Sequence, residues 1–418
     1  MTVLTSPRTV RTDSPPRSKG LIRHALDTPL ANLYLVLSTA GLLIGLGVLM
    51  VLSASSVYAE VNIKVTGGDP YYFVKRQVMF LVIGLAAAWF ISRLSPKALR
   101  AVSWPALIFT LILLMLTFTP LGMTVNGNRN WVQFGFSWTR LQPSEFAKLA
   151  IVIWGADQLT RKEKLLGRPK ELVPYLLVTG LVVGLVLLQK DVGTAMVLAL
   201  MIGCVLFLSG IPLRLLAAAA GGIAVLIVGM VAISPNRMNR IMGFLNPSAD
   251  LEGINAQPIR AMYALASGGW WGVGLGQSKQ KWGMLVEAHS DYVFAVIGEE
   301  LGLVGTIVVI GLFAALVATA LRIAGRSDST FCRHVAAGVG VWFLVQASMN
   351  IAVVLRLLPV VGVTLPFVSY GGSSLLATLG AVGLLVWCAR QEPAARKVLA
   401  KRRGASKARV TAVVDGRK

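Results

Sequence analysis

Long runs of apolar residues, separated mostly by short polar connections, dominate the chain between residues 31 and 389. Most runs are about 20 residues long, the length that a helix needs to cross the hydrocarbon core of a bilayer. They lie at 31–53, 77–94, 104–122, 144–159, 173–188, 194–210, 213–234, 291–321, 335–355 and 367–389. The pattern therefore predicts an all-α, polytopic integral membrane protein with ten transmembrane helices.

Basic residues are placed asymmetrically between the connections of these helices. The connections at 95–103, 160–172 and 322–334 together hold ten Lys and Arg residues, whereas the alternate short connections hold far fewer. The positive-inside rule then predicts a multi-pass protein of the cytoplasmic membrane with both termini cytoplasmic. The predicted domains are a basic tail at 1–29, a membrane domain at 30–390 and a second basic tail at 391–418.

Two outer segments interrupt the pattern of short connections. One covers 124–143, and the other is a large extracytoplasmic loop of 55 residues, 236–290, between the seventh and eighth predicted helices. Function is expected in such segments because loops carry many binding and catalytic groups. Within the longer one, the stretch 268–276 combines glycines with two Trp residues. This mixture favours a segment at the membrane interface over a nucleotide-binding loop.

Composition narrows the function classes further. The chain is 55% hydrophobic and only 14% charged, with a mean hydropathy of +0.70, which excludes a soluble globular protein. Its net charge of +22 is consistent with basic segments that lie at the membrane surface, where anionic headgroups attract them. Membrane lipid is therefore a predicted partner, and nucleic acid is not. The three Cys residues have no CxxC spacing, which argues against a zinc site or a disulfide framework.

Charged groups at membrane depth are costly, and the few in this chain are therefore candidates for function. Asp291 stands where the long outer loop meets the eighth predicted helix, so its carboxylate can face an outer cavity. Glu287 lies four residues earlier and shares a face with it if the helix begins early, an arrangement that suits a general base. The structural alternative is that Ser290 or Asp291 caps the helix N-terminus.

Two other segments offer contacts for a substrate. Glu145 begins the fourth predicted helix, and Lys148, three residues on, either pairs with it or holds an anionic group such as a diphosphate. In the outer stretch 126–135, Arg129 and Trp131 suit a sugar or phosphate headgroup, and an anchor at the membrane interface is the alternative.

Polar residues at other helix positions have simpler explanations. Asp191 precedes the sixth predicted helix and is expected to cap it. Glu299 and Glu300 point about 100° apart, so one can line the interior while its neighbour bonds a partner helix. Ser373 belongs to a run of small residues at the start of the tenth helix, where close helix packing is the leading explanation.

Several long motifs, in the same order and across nearly all of residues 30–390, resemble the SEDS family of bacterial polytopic membrane proteins, which includes the FtsW and RodA types. The matching segments are Asn130–Trp131 through Gln142–Lys148, Gln189–Ala195, Glu287–Gly302 and Leu365–Ser374. In this resemblance Asp291 takes the position of the family's essential loop aspartate, with Ser290 and Tyr292 in place of the commoner Thr and Phe. The catalytic candidate is therefore Asp291, and the candidate substrate contacts are Lys148, Glu145, Trp131, Arg129, Glu287 and Ser373.

The resemblance implies a peptidoglycan glycosyltransferase that polymerises lipid II into glycan strands at the outer face of the cytoplasmic membrane. A class B penicillin-binding transpeptidase is the implied partner. The basic tails and residues 73–77 look more like the division-specific FtsW type than the elongation-specific RodA type. That type implies work at the division septum beside other membrane proteins of the division machinery, and a RodA-type polymerase is the alternative.

The mechanism expected from this assignment is an inverting displacement. Asp291 acts as general base on the 4-hydroxyl of the acceptor N-acetylglucosamine, which attacks the anomeric carbon of the donor chain as undecaprenyl diphosphate leaves. Lys148, Arg129 or a divalent cation held partly by Asp291, Mg²⁺ or Mn²⁺, would stabilise the developing charge. No organic cofactor is expected. Two other classes stay open: a transporter that flips lipid-linked precursors and a non-catalytic division scaffold.

Overall fold

Helices form at all of the apolar runs. The computed structural model describes residues 28–61, 63–125, 127–135, 140–163, 168–232, 235–246, 253, 255–282, 285 and 288–401. In chain order its helices are α1 (Ala31–Val61), α2 (Ile63–Thr66), α3 (Tyr72–Ile91), α4 (Pro96–Ala101), α5 (Ser103–Leu116), α6 (Pro143–Arg161), α7 (Pro169–Leu188), α8 (Val192–Leu208), α9 (Leu213–Ala232), α10 (Pro235–Leu245), α11 (Ala256–Gly268), α12 (Val293–Arg326), α13 (Thr330–Val354) and α14 (Gly372–Gln391).

The predicted membrane character of these helices is confirmed at a coarse level. Within the described residues, seven helical segments are long and apolar enough to cross a membrane: α1, α3, α4 with α5, α7, α12, α13 and α14. Helices α8 and α9 are shorter apolar helices, and α6 carries Glu145, Lys148 and Asp157 among its apolar residues. The protein is thus a mostly helical polytopic membrane protein, and the number of ten spans stays a prediction.

The first and last of these helices meet at one face of the molecule. Asn32, at the beginning of α1, donates a hydrogen bond of 2.8 Å to Glu392, directly after α14. At the same face, the indole N–H of Trp387 donates to the carbonyl of Leu94, after α3, at 2.9 Å. This side is named the terminal face here. The opposite side, which holds α10, α11 and the connections around them, is named the loop face.

Helices α13 and α14 form the centre of the bundle. Their apolar stretches are 72% and 83% buried, against 17% for α3, whose Trp89 and Phe90 are exposed on the outside of the bundle. A Cβ on Gly372 would approach the ring of Phe80 to 2.4 Å, so α14 and α3 pack too closely there for any larger residue. The close packing predicted from the small residues at the start of this helix is confirmed.

A small sheet at the loop face departs from the predicted all-α fold. Strands β1 (Gly122–Val125), β2 (Asn128–Gln133) and β3 (Arg140–Leu141) are antiparallel in the order β1-β2-β3. Met123 pairs with Trp131, and Val132 pairs with Leu141. Strands of two to six residues carry too short an alternation of apolar residues to be distinguished from a loop in the sequence.

The beginning of the predicted C-terminal basic tail is part of the folded structure. Residues 393–401 are helical, and Ala395 is only 1% exposed. The preceding Glu392 is itself buried against Asn32. This part of the tail is therefore packed on the terminal face.

Helix α12 is broken at Gly302, whose backbone adopts φ 69° and ψ −166°. The break removes the helical donors from the carbonyls of Glu299 and Glu300. The backbone N–H groups of Val273 and Gly274 donate to these carbonyls instead, at 2.9 and 3.1 Å. Buried backbone groups must be paired, and here a segment of the long outer loop supplies the partners.

The same segment also receives hydrogen bonds from the far side of the break. Leu303 and Val304 donate to the carbonyls of Gly269 and Trp270 at 2.9 and 3.2 Å. A Cβ on Gly272 would lie 2.1 Å from the carbonyl oxygen of Glu300, so only glycine permits this approach. The glycine-rich stretch of the sequence therefore serves to complete a broken helix.

Candidate active site

Asp291 lies in a turn at the loop face, directly before the N-cap residue of α12, Tyr292. Because the N-cap is Tyr292, the helix begins later than it would if Ser290 or Asp291 were its cap. The Tyr292 side chain makes no capping hydrogen bond. The Asp291 carboxylate faces the connection between α13 and α14, since a Cβ on Gly362 would lie 3.4 Å from its Oδ2 atom. Glu287 lies outside the described residues.

The backbone of this turn is fixed by side chains from later parts of the chain. Asn350 on α13 donates to the carbonyl of Asp291 at 2.8 Å. The hydroxyl of Ser369, before α14, donates to the carbonyl of Ser290 at 2.6 Å. A catalytic side chain must be held in one position by its surroundings, and these bonds hold the backbone from which the Asp291 carboxylate projects.

Lys148 and Glu145 form a buried ion pair on α6. The ammonium lies 2.6 Å from Glu145 Oε1, and the two side chains are 1% and 5% exposed. The side-chain oxygen of Gln346 on α13 accepts a second hydrogen bond from Lys148 at 2.7 Å, and the ammonium lies 5.3 Å from the ring centre of Trp342. The pairing suggested by the three-residue spacing is confirmed, and any anion at Lys148 must compete with Glu145.

Asp191 caps α8 and also joins it to two other elements. Its Oδ1 atom accepts from the backbone N–H of Thr194 at 3.0 Å, which confirms the predicted cap. Its Oδ2 atom accepts from the amides of Asn130 on β2 and Gln142 before α6, at 2.7 and 3.1 Å. The contacts proposed from the sequence, Arg129 and Trp131, are the neighbours of Asn130. Because side chains alternate along a strand, β2 directs Asn130 to the opposite, buried face.

The other predicted substrate contacts lie around this network. Arg129 is exposed on β2 and donates to the carbonyl of Thr119 at 2.9 Å. Trp131 is half-buried and follows it on the same face of the strand. Ser373, at the start of α14, accepts from the backbone N–H of Gln142 at 2.9 Å. Contact of these residues with a substrate stays a prediction.

Several buried polar atoms near this network have no hydrogen-bond partner among the described residues. They are Glu145 Oε2, Ser144 Oγ, Asn130 Oδ1, Asn350 Oδ1 and the Tyr292 hydroxyl. Native proteins leave few such atoms unpaired, and those that occur point to bound water, an ion or a functional role. These unpaired atoms lie on β2, on α6, on α13 and directly before α12.

A metal site is not assembled by the residues that the structure describes. Within them, no group of three His, Cys, Asp or Glu side chains comes together that could hold a metal ion. The donor set that the sequence offers at Asp291 includes Glu287, which lies outside this part of the chain. A divalent cation at Asp291 stays a prediction.

Two arginines on α10 were not identified from the sequence. Arg237 donates to the carbonyl of Lys190, and Arg240 donates to the carbonyl of Val360 at 3.4 Å. Helix α10 thus reaches from the connection that carries Asp191 to the connection beside Asp291. The available signal was the occurrence of these cations in an outer loop, where the positive-inside rule leaves few.

Comparison with known proteins identifies the family of this chain. A family model for FtsW, RodA and SpoVE, described as cell cycle proteins, matches residues 33–393. The chain belongs to this family. A relative from Trichlorobacter lovleyi, named a probable peptidoglycan glycosyltransferase FtsW, is 42% identical over 345 residues, which cover 81% of this chain and 88% of the relative. The family resemblance expected from the motifs is confirmed.

Solved structures show the same fold. One is a chain from a study of structural coordination of polymerization and crosslinking by a peptidoglycan synthase complex. It matches with a TM-score of 0.64 and 30% identity, over 83% of this chain and 98% of that chain. Another is the rod shape determining protein RodA of Thermus thermophilus, with a TM-score of 0.63, 28% identity and coverage of 88% and 99%.

Proposed function

We propose that this chain is a peptidoglycan glycosyltransferase of the FtsW type, which polymerises lipid II at the outer face of the cytoplasmic membrane during septal wall synthesis. Membership of the FtsW, RodA and SpoVE family supports this function, as does the 42% identity to a relative named for the activity. The structural observation that carries it is the Asp291 turn, which is fixed by α13 beside a set of buried polar atoms at the loop face.

The proposed reaction is a single displacement with inversion at the donor's anomeric carbon. Asp291 removes the proton from the attacking hydroxyl as the new glycosidic bond forms, and the bond to the diphosphate breaks with its electron pair. Lys148 is held by Glu145 and Gln346, which suits a role in shaping the site. A divalent cation remains a candidate for stabilising the charge on the departing diphosphate. The polymerisation rate with and without a chelator tests this role.

The proposed partner is a class B penicillin-binding transpeptidase, among other membrane proteins of the division machinery. The similarity to a chain from a complex named for polymerization and crosslinking supports a crosslinking partner. The basic residues near the terminal face, such as Lys97, Arg161 and Arg326, support a cytoplasmic position for that face and for both termini. The loop face would then meet the headgroup of lipid II at the outer face of the membrane.

The test is polymerisation of lipid II by the purified full-length chain with a class B transpeptidase. Asp291→Asn is expected to lower the rate by about 100-fold or more, the usual contribution of a general base. Asp69→Asn is the matched control. It removes an exposed carboxylate that lies in another loop, 2.7 Å from Lys75, and exposed pairs contribute little to stability. It should keep the wild-type rate.

Other results would redirect the proposal. Wild-type activity in Asp291→Asn would remove the base role from this residue. Flipping of lipid II in vesicles without polymer, with the partner present, would favour a transporter, and division that persists in an Asp291→Ala strain would favour a scaffold. A fluorescent fusion confined to midcell supports the FtsW type, whereas labelling along growing poles or sidewall indicates the RodA type.

A further inference from the structure

Four basic residues gather at the loop face around α10. Arg237 donates to the carbonyl of Lys190, and Arg356 donates to the carbonyl of Gly243 on α10 at 3.5 Å. Arg240, one turn from Arg237, bonds the connection after α13. Lys190, Arg237, Arg240 and Arg356 are named the cationic rim here.

The position of this rim at the loop face, opposite the terminal face, is unusual. Basic residues are depleted from short outer connections because the positive-inside rule retains them in the cytoplasm. Lys190 and Arg356 also have φ angles of 63° and 57°, and they are two of the three non-glycine residues with positive φ in the described part of the chain. Such backbone costs free energy and is concentrated at functional sites.

Asp191, whose charge acts on Arg237, is held mainly by other elements. Asp191 accepts hydrogen bonds from Thr194, Asn130 and Gln142. Among the described residues, Lys190, Arg240 and Arg356 form no ion pair. Arg240 and Arg356 bond to carbonyl oxygens, which leave the positive charge of each guanidinium uncompensated.

The rim reaches the catalytic candidate. Arg240 bonds the carbonyl of Val360, and Gly362, two residues on, borders the Asp291 carboxylate. The connection after α13 thus borders both Arg240 and the Asp291 carboxylate, and the rim lies beside the proposed base.

We propose that the cationic rim binds the diphosphate of the lipid-linked donor and holds it as it leaves. This inference rests on the proposed function. As the acceptor oxygen bonds to the anomeric carbon and Asp291 takes its proton, the electron pair of the breaking bond passes to a diphosphate oxygen. Arg237 and Arg240, three residues apart on one helix face, present guanidinium forks that match phosphate oxygens. They supply cationic stabilisation beside the proposed base.

The test measures binding of undecaprenyl diphosphate to the full-length protein in detergent, without acceptor. The readout is the rise in unfolding temperature that the ligand causes. The double variant R237Q/R240Q is expected to bind it about 30-fold more weakly, and R237K/R240K should recover part of the affinity because Lys keeps the charge. Inorganic diphosphate, tested alongside, distinguishes recognition of the free anion from that of the lipid-linked one. Lys279→Gln is the control because it removes an exposed cation of the same long loop and should bind normally.

Three results would overturn the rim as a diphosphate site. They are binding by R237Q/R240Q within about threefold of wild type, an equal loss in Lys279→Gln, and affinity that does not fall as salt rises. If the double variant does not fold, Arg240→Gln decides, since Arg240 is exposed and its described bond is 3.4 Å long. Binding is measured without turnover, so a wild type that binds but never polymerises contradicts the proposed function alone.

Discussion

At the residue scale, the buried charges of this protein are held by partners that are far apart in the chain. Lys148 pairs with Glu145 three residues away, but its other acceptor, Gln346, lies 198 residues further on. Glu300 accepts from Ser53 on α1 at 2.6 Å and lies 3.1 Å from Lys281. Lys148 and Glu300 are thus each held by groups that only the folded chain brings together.

The ion pair on α6 predicts a stability effect that can be separated from catalysis. Lys148→Met leaves Glu145 buried without its cation and is expected to lower the free energy of unfolding by about 3 kcal/mol or more. The double variant Glu145→Gln with Lys148→Met should recover part of that loss, because it removes the unpaired charge. Thermal unfolding in detergent measures both. Unchanged stability in the single variant, with activity lost, would instead assign Lys148 to the substrate.

At the element scale, the break in α12 couples this helix to the long outer loop. Residues 293–300 before the break are all buried, whereas Leu303, Ile307 and Val308 after it are exposed on the surface of the bundle. The carboxylates of Glu299 and Glu300 also hold the loop, through Ser278 and Lys281. A local break in one helix therefore determines where a segment of the outer loop lies.

Substitution at the break tests this coupling. Gly302→Ala is expected to destabilise the protein by about 2 kcal/mol or more, since φ 69° is strained for alanine and its Cβ would lie 2.4 Å from the backbone N of Gly272. Gly311→Ala, on the same helix with nothing within 4 Å of its Cβ, should be neutral or stabilise by up to about 1 kcal/mol.

The measurements for this pair are thermal unfolding and limited proteolysis of the loop. Faster cleavage within 269–282 in Gly302→Ala, but not in Gly311→Ala, is expected because the loop loses its backbone partners. Equal unfolding temperatures and equal cleavage of the two variants would show that the break does not hold the loop.

At the scale of the whole molecule, the chain places its polar contacts on two opposite faces. The beginning of α1 and the end of α14 meet at the terminal face through Asn32 and Glu392. The turn at Asp291 and the connection after α13 meet at the loop face through Asn350. A bilayer between these faces accounts for the apolar surface that separates them.

The proposed orientation predicts the accessibility of single introduced cysteines. Lys279→Cys, exposed at the loop face, should react with a membrane-impermeant maleimide in spheroplasts. Lys97→Cys, exposed at the terminal face, should react only after permeabilisation. The native Cys332 and Cys388 are buried and should contribute little background. Labelling of Lys97→Cys in sealed spheroplasts would reverse the orientation.

The sequence by itself determined the helices and the family. A bilayer requires apolar runs of about 20 residues, and all ten runs coincide with helices in the structure. The motif around Asp291 and the spacing of Glu145 and Lys148 were also readable, because each is a local pattern. The short strands were missed because a strand as short as Arg140–Leu141 has no alternation to detect.

Only the tertiary structure decided which residues share a site. Asn350 and Gly362 are 59 and 71 positions from Asp291 in the sequence, yet both border it. Asn130 and Gln142 meet Asp191 across 61 and 49 positions, and α10 brings Arg237 and Arg240 to two separate connections. Such contacts form when helices pack against one another, and no spacing along the chain records which faces meet.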